Sequence, residues 1–202
     1  MSYIYSFFVS FIMIFLSELG DKTQLLVLSF STKDRAKNIL LGVALGTFFS
    51  HGLAIIFGSK IGSFENATLQ FYLEIFTYLS FLFFGIIGFI PKKEKESNDN
   101  SKFLLLQNLS NLKLSCTFLI AFNIAIGELG DKTFLASLGL GLQYPTYKIS
   151  LILGSIIGMV ASNSIALFFG KLLGKRFNPK FVEILSNCIF IIFGVIGLIK
   201  LL

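Results

Sequence analysis

Apolar residues fall along this chain in long unbroken blocks. They show neither the two-residue alternation of a half-buried strand nor the narrow stripe of a surface helix. A membrane span needs roughly 20 consecutive apolar residues. A window of that length picks out Tyr3–Phe30, Ile39–Phe57, Phe71–Ile90, Leu114–Leu142, Ile149–Leu173 and Phe181–Leu201. In lipid the backbone satisfies its polar groups only in helices or closed barrels, and barrel strands alternate, so the blocks predict helices. The expected fold class is all-α, a polytopic membrane protein with six transmembrane helices. Tyr3–Phe30 lacks the basic start and short apolar core of a signal peptide, so it reads as a mature helix. The polar run Lys92–Lys102 reads as a flexible linker. Phe103–Leu112 after it either lies on the membrane surface or leads into the fourth span.

Composition narrows the class further. With 54% hydrophobic residues, 25 Phe, no Trp and a mean hydropathy of +0.81, the chain is too apolar for a soluble domain. The net charge of +6 would suit a nucleic-acid partner if it formed one patch, but it does not. Lys33, Arg35 and Lys37 follow the first block, and Lys92, Lys93, Lys95, Lys102 and Lys113 follow the third. Lys171, Lys175, Arg176 and Lys180 follow the fifth, whereas the opposite side carries Lys60, Lys148 and Lys200. The positive-inside rule therefore makes the first three groups cytoplasmic and puts both termini outside the cytoplasm. The partner is a lipid bilayer, and no nucleic acid is expected. Cys116 and Cys188, with no metal-type spacing, read as buried small hydrophobes.

Inside this apolar frame the hexapeptide Glu-Leu-Gly-Asp-Lys-Thr occurs at Glu18–Thr23 and again 110 residues later at Glu128–Thr133. The likeness extends further. Gly42-Val-Ala-Leu-Gly46 matches Gly154-Ser-Ile-Ile-Gly158, and Ala54-Ile-Ile-Phe-Gly58 matches Ala166-Leu-Phe-Phe-Gly170. In the third spans Glu74-Ile-Phe matches Glu183-Ile-Leu, and Phe84-Gly-Ile-Ile-Gly88 matches Phe193-Gly-Val-Ile-Gly197. The expected organisation is one membrane domain with a first three-helix repeat at 1–90, a cytoplasmic linker at 91–112 and a second repeat at 113–202. Three spans per repeat is an odd number, so the two copies enter the membrane in opposite directions. Such inverted repeats belong to alternating-access transporters that hold substrate near the midplane. The glycine pairs Gly42/Gly46, Gly58/Gly62, Gly154/Gly158 and Gly170/Gly174 read as helix–helix contacts.

The duplicated charges carry the chemistry. A charged residue at the centre of a membrane helix costs about 2.5–3.5 kcal/mol, so intramembrane acids point to function. On a continuous helix Glu18, Asp21 and Lys22 share one face, with Thr23 farther round, and Glu128, Asp131, Lys132 and Thr133 repeat the arrangement. Gly20 and Gly130 between the acids loosen the backbone and can free carbonyls as ligands. If the first and fourth helices cross, Glu18, Asp21, Glu128 and Asp131 converge, and hard divalent cations such as Ca²⁺ and Mn²⁺ favour oxygen ligands of that kind. With Lys22 and Lys132 counted, the set is doubly negative when ionised, which one divalent cation neutralises. Without metal, carboxylates crowded in a low dielectric take up protons, so metal and protons compete. The structural alternative is a pair of i,i+4 salt bridges, Glu18 with Lys22 and Glu128 with Lys132, which leaves both aspartates unexplained.

His51, preceded by Ser50, is paired by the repeat with Asn163, preceded by Ser162. An imidazole ligand favours Mn²⁺ over Ca²⁺, and Asn163 offers a neutral oxygen. Gln24 follows the first motif, but its counterpart is Phe134, so any Gln24 role is one-sided. Glu74 and Glu183 lie near the ends of their spans, as interface anchors.

The paired Glu-x-Gly-Asp-(Lys/Arg)-(Thr/Ser) motif, one in the first span of each half, resembles that of the GDT-one family within the calcium/cation antiporter superfamily. The resemblance covers nearly the whole chain. It implies export of Mn²⁺, and in some members Ca²⁺, in exchange for protons, with no resident cofactor and no enzymatic turnover. By position it makes Glu18, Asp21, Glu128 and Asp131 the cation-binding acids, with Thr23 and Thr133 in support. The short chain and the His51/Asn163 pairing resemble bacterial members, which implies a bacterial cell membrane. Phe134 departs from the Gln that often follows both family motifs. On the residues alone, a divalent cation channel and an intramembrane metalloenzyme are the rival classes. Channels usually assemble their carboxylate rings from several subunits, and one histidine is too few for the common zinc sites.

Overall fold

The structure, a computed structural model, describes residues 2–19, 21–31, 34–64, 67–89, 115–173 and 179–201. These are helical, with no strand among the described residues. The first block forms two helices, α1 (Tyr3–Glu18) and α2 (Lys22–Phe30). The second block forms α3 (Ala36–Thr47), a π-helical turn (Phe48–Gly52) and α4 (Leu53–Gly62) in one continuous rod. The third is α5 (Ala67–Ile87). The fourth is again two helices, α6 (Cys116–Gly127) and α7 (Lys132–Gln143). A 3₁₀ turn at Pro145–Tyr147 then leads into α8 (Lys148–Leu173), and α9 (Pro179–Leu201) ends the chain.

Two helical stretches among the described residues, Ala36–Gly62 and Pro145–Phe168, are long and apolar enough to cross a membrane. Tyr3–Glu18, Phe71–Ile87, Cys116–Gly127 and Asn187–Ile199 are shorter apolar helices. The expected unbroken helices over Tyr3–Phe30 and Leu114–Leu142 are therefore corrected: each is split where the charged hexapeptide falls. Segments 91–112, with the polar run and Phe103–Leu112, lie outside the described residues, as do Gly20, Gly174 and the side chains of Lys22 and Glu183.

The outer surface is apolar. Phe8, Phe57, Phe76, Phe83, Phe118 and Phe168 are each more than half exposed, far beyond the scattered apolar residues of a soluble surface. Polar groups are inside instead: Glu18, His51, Glu128, Thr133 and Asn163 are buried. Cys116 and Cys188 form no disulfide and are half-buried rather than fully buried as the sequence reading expects.

Helices pack across the two halves more than within them. The α1 helix runs against α8, α3 against α6, α4 against α7, and α5 against α9. Three of the four expected glycine pairs make these contacts, Gly174 of the fourth lying outside the described residues, and the register repeats. A Cβ at Gly42 would meet Thr117 O and Ile120, and one at Gly46 would meet Ala121 O and Ile124. In the other half, Gly154 faces Phe7 O and Ser10, and Gly158 faces Phe11 O and Ile14. Each partner in the second set lies 110 residues before its equivalent in the first. The α5 and α9 helices obey the same exchange, Tyr78 packing on Gly197 and Asn187 on Gly88.

Gly58, Gly62 and Gly141 bring α4 and α7 into backbone contact: a Cβ at Gly58 would run into Leu138 O, one at Gly62 into Leu142 O and one at Gly141 into Ile55 O. A carbonyl in a helix cannot rotate away. Gly58→Val is therefore expected to destabilise the protein by about 1–3 kcal/mol, the usual cost of overpacking. Thermal loss of the monodisperse size-exclusion peak in detergent would report it, and an unchanged midpoint would refute backbone contact at this position.

Candidate metal centre

The hexapeptide breaks its helix the same way in both halves. After Glu18 the chain leaves helical geometry and re-enters it at Lys22, with Asp21 as the N-cap at φ −81° and ψ 171°. After Gly127 it does likewise and restarts at Lys132, with Asp131 as the N-cap at φ −76° and ψ 165°. A short turn bridges each gap, with Asp21 N–H donating to Glu18 O at 3.3 Å and Asp131 N–H to Glu128 O at 3.2 Å. Gly130 has a φ of +81°, a left-handed conformation that residues with a side chain resist. A Cβ there would meet nothing within 4 Å, so glycine serves the turn rather than packing. The reading that Glu18, Asp21 and Lys22 share a face of one helix is thereby corrected, and so is its counterpart at Glu128. The i,i+4 helical salt bridge loses its geometric basis for the same reason. Lys132 is half-buried at the start of α7.

An N-cap aspartate normally accepts a hydrogen bond from an early backbone N–H of its helix. Neither Asp21 nor Asp131 makes that bond. Their oxygens are left for another partner. The glutamates are held by the threonines, Thr23 Oγ1 donating to Glu18 Oε2 at 3.2 Å and Thr133 Oγ1 to Glu128 Oε2 at 3.3 Å. Thr133 Oγ1 is also 3.4 Å from Asp131 Oδ2, and its single proton serves one acceptor at a time. The ends of α1 and α6 leave last-turn carbonyls without helical donors, the negative pole of each half-helix.

The two motifs meet. Carboxylate oxygens of Glu18, Asp21 and Asp131 lie within 4.8 Å of one another, and so do ligand atoms of Glu18, His51 and Glu128. On a cation with ligands at about 2.3 Å, opposite ligands stand about 4.6 Å apart, so both groups have the span of a coordination shell. Glu18 Oε1 and both ring nitrogens of His51 are buried and have no hydrogen-bond partner. Leaving such atoms unpaired costs about 1–3 kcal/mol each, so these three atoms call for a partner that the described residues do not supply.

The remaining expected residues divide. His51 sits in the π-helical turn between α3 and α4, a distortion frequent at functional sites. Asn163 is fully buried; its Nδ2 donates to Met159 O at 3.0 Å, and its Oδ1 has no partner. Gln24 Nε2 donates to Ser162 Oγ at 2.8 Å and to Ser162 O at 3.1 Å, tying α2 to α8 beside Asn163. That link is one-sided, as the Phe134 mismatch implies. Ser50 spends its hydroxyl on its own helix, on Gly46 O at 3.1 Å. The sequence reading misses two further buried hydroxyls without partners, Ser17 Oγ and Ser137 Oγ. Comparing the halves hides both, because their counterparts are Gly127 and Val27. A cavity of about 300 Å³ lined by Leu28, Ser31, Ala36, Ile39, Leu167 and Phe168 lies at the far end of α2 from Asp21 and has no acid in its lining. It is separate from this chemistry.

A family model described as divalent cation/proton antiporter GDT1 matches residues 6–96 and 117–202. Among curated relatives, a Vibrio cholerae protein provisionally named a manganese exporter is 28% identical over 165 residues, 81% of this chain and 76% of its own. The rice chloroplastic GDT1-like protein 1 is 27% identical over 95% of this chain, which spans only 61% of that relative. The Arabidopsis thaliana GDT1-like protein 5 is 24% identical over 98% of this chain and 97% of its own. No solved structure matches the chain.

Proposed function

The chain belongs to the GDT1 family of divalent cation/proton antiporters, and from that membership we propose that it exports a divalent cation from the cytoplasm, Mn²⁺ before Ca²⁺, in exchange for protons. The family's work is transport across a membrane and not enzymatic turnover; its substrates are divalent cations and protons. The observation that carries the finer reading is the approach of Glu18, Asp21 and Asp131 to within 4.8 Å from opposite halves of the chain. Metal bound there offsets two of the three carboxylate charges, and protons replace it when it leaves.

The contact registers support six spans in two inverted repeats. Gly42 and Gly46 meet Thr117 and Ala121 in the same order, so α3 and α6 run parallel. Gly154 and Gly158 meet Phe7 and Phe11 in the same order, so α1 and α8 run parallel too. The first span of each half is thus parallel to the second span of the other, which requires the halves to point oppositely when consecutive spans alternate. On this reading the half-helix ends of α1 and α6 would offer their carbonyl poles to the cation, the device of broken transporter helices. A bacterial cell membrane with both termini outside the cytoplasm completes the reading, and the provisional name of the Vibrio cholerae relative favours Mn²⁺.

Reconstitution into liposomes under an imposed pH gradient tests it. The wild type is expected to move Mn²⁺ uphill at the expense of the proton gradient and Ca²⁺ more slowly, and Asp131→Asn is expected to reduce both fluxes at least tenfold. Cation flux that the proton gradient cannot drive would mean a channel.

A further inference from the structure

We propose that the carboxylate cluster holds two overlapping cation subsites sharing Glu18: an all-oxygen entry subsite of Glu18, Asp21 and Asp131, and a buried subsite of Glu18, His51 and Glu128 that selects Mn²⁺ over Ca²⁺ through the His51 nitrogen. The proposal rests on the antiport reading and adds the order in which the cation meets its ligands and the residue that discriminates.

The geometry separates the groups. Each set of ligand atoms falls within 4.8 Å, and Glu18 is the member common to both. Their burial differs. Glu18 and His51 have no exposed surface and Glu128 has 2%, whereas Asp21 and Asp131 are only half-buried. A cation arriving from water meets the aspartates first and reaches the histidine only after shedding its remaining water. The two glutamate oxygens are not alike: Oε2 of Glu18 accepts from Thr23, while Oε1 is buried without a partner. One carboxylate can hand the cation over by exchanging oxygens, with no bare intermediate.

The ligand sets also differ in chemistry. Carboxylates alone suit Ca²⁺, Mg²⁺ and Mn²⁺ alike. A neutral imidazole suits transition metals and is a poor ligand for the hard alkaline-earth ions. Both His51 nitrogens are buried without a hydrogen-bond partner. A structural histidine usually spends at least one ring nitrogen on a protein acceptor. The pseudo-equivalent Asn163 leaves an oxygen unpaired instead, so the halves differ in the atom type that bears on selectivity.

Full-length protein purified in detergent provides the test, with Mn²⁺ alone and Ca²⁺ alone as probes. Calorimetry on His51→Asn is expected to show Mn²⁺ affinity lowered at least tenfold and Ca²⁺ affinity changed less than threefold. Asp21→Asn is expected to weaken both ions to a similar extent. His51→Gln serves as the second variant, and each is accepted only if it elutes as one symmetric size-exclusion peak. Electron spin-echo modulation of Mn²⁺ bound to wild type is expected to show coupling to an imidazole nitrogen, independent of any variant's folding. Bound Mn²⁺ without nitrogen coupling overturns the buried subsite. So does an equal loss of both ions, or of neither, in a folded His51 variant. Failure of proton-driven flux in the wild type would instead sink the antiport reading, whatever the binding data show.

Discussion

Replacing Glu18 with glutamine is expected to raise the Mn²⁺ dissociation constant at least 100-fold, about 2.7 kcal/mol, and to reduce proton-driven flux below detection. The substitution keeps the size of the side chain and removes an anionic ligand from both groups of convergent residues at once. Glu128→Gln removes a ligand from one group only, and a loss of about tenfold is expected. The inequality is the informative part. Glu18 and Glu128 occupy identical hexapeptides, and sequence alone assigns them equal weight. Equal losses in a calorimetric titration would show that the cluster is symmetric in use and that sharing is not confined to Glu18. A Glu18→Gln protein that still drives Mn²⁺ uphill would remove the cluster from the mechanism.

Lowering the pH is expected to weaken Mn²⁺ binding steeply. The carboxylates bind metal only when ionised, so any proton held by the free cluster must leave as metal enters. The sign follows directly. Affinity is highest at high pH, and the apparent dissociation constant rises up to about tenfold per pH unit for each proton displaced. Between pH 8 and pH 5 a total weakening of at least about tenfold is expected. Titration in two buffers of different ionisation enthalpy counts the protons released. A dissociation constant that stays flat from pH 5 to pH 8 would show that metal and protons do not share these groups, and exchange would need another site. This linkage is the thermodynamic core of antiport, since one set of oxygens cannot serve both ions together.

What the sequence reveals and conceals about this molecule follows from what repeats. The acids were legible because a carboxylate in an apolar block is costly and two identical blocks bear that cost. The glycine contacts were legible because Gly42/Gly46 and Gly154/Gly158 recur at matching places, and small residues in membrane helices have few other uses. The helix break was legible only as a loosening at Gly20 and Gly130, not as a stop and restart. Apolar residues resume on both sides of each motif, Ile14–Leu16 and Leu25–Leu28 around the first and Ile124–Ile126 and Phe134–Ala136 around the second, so hydropathy sees one continuous span. Only the helix restart at an aspartate N-cap, with Gly130 in a left-handed turn, shows that the backbone leaves helical geometry there. The meeting of Glu18 and Glu128 was legible as an expectation, and His51 as a candidate ligand. That His51 joins those two glutamates while Asp21 and Asp131 group with Glu18 was not, because it depends on how separate segments pack. Ser17 and Ser137 stayed hidden because neither has a polar counterpart in the other half. Repetition exposes symmetric chemistry and is blind to chemistry that sits on one side.

The glycine registers bear on how the molecule can divide into moving parts. Backbone contact at Gly58, Gly62 and Gly141 locks α4 to α7, and contact at Gly154 and Gly158 locks α1 to α8. Each tightly joined pair takes one span from each half, so the natural seams cut across the duplication. Glu18, Asp21 and Asn163 ride on one pair, and His51, Glu128 and Asp131 on the other. Any sliding or tilting between the pairs that leaves the glycine contacts intact must therefore part the ligands into two sets of three. On the function proposed above, a cation held by residues of both pairs would act as a clasp between them, and its departure would let them separate.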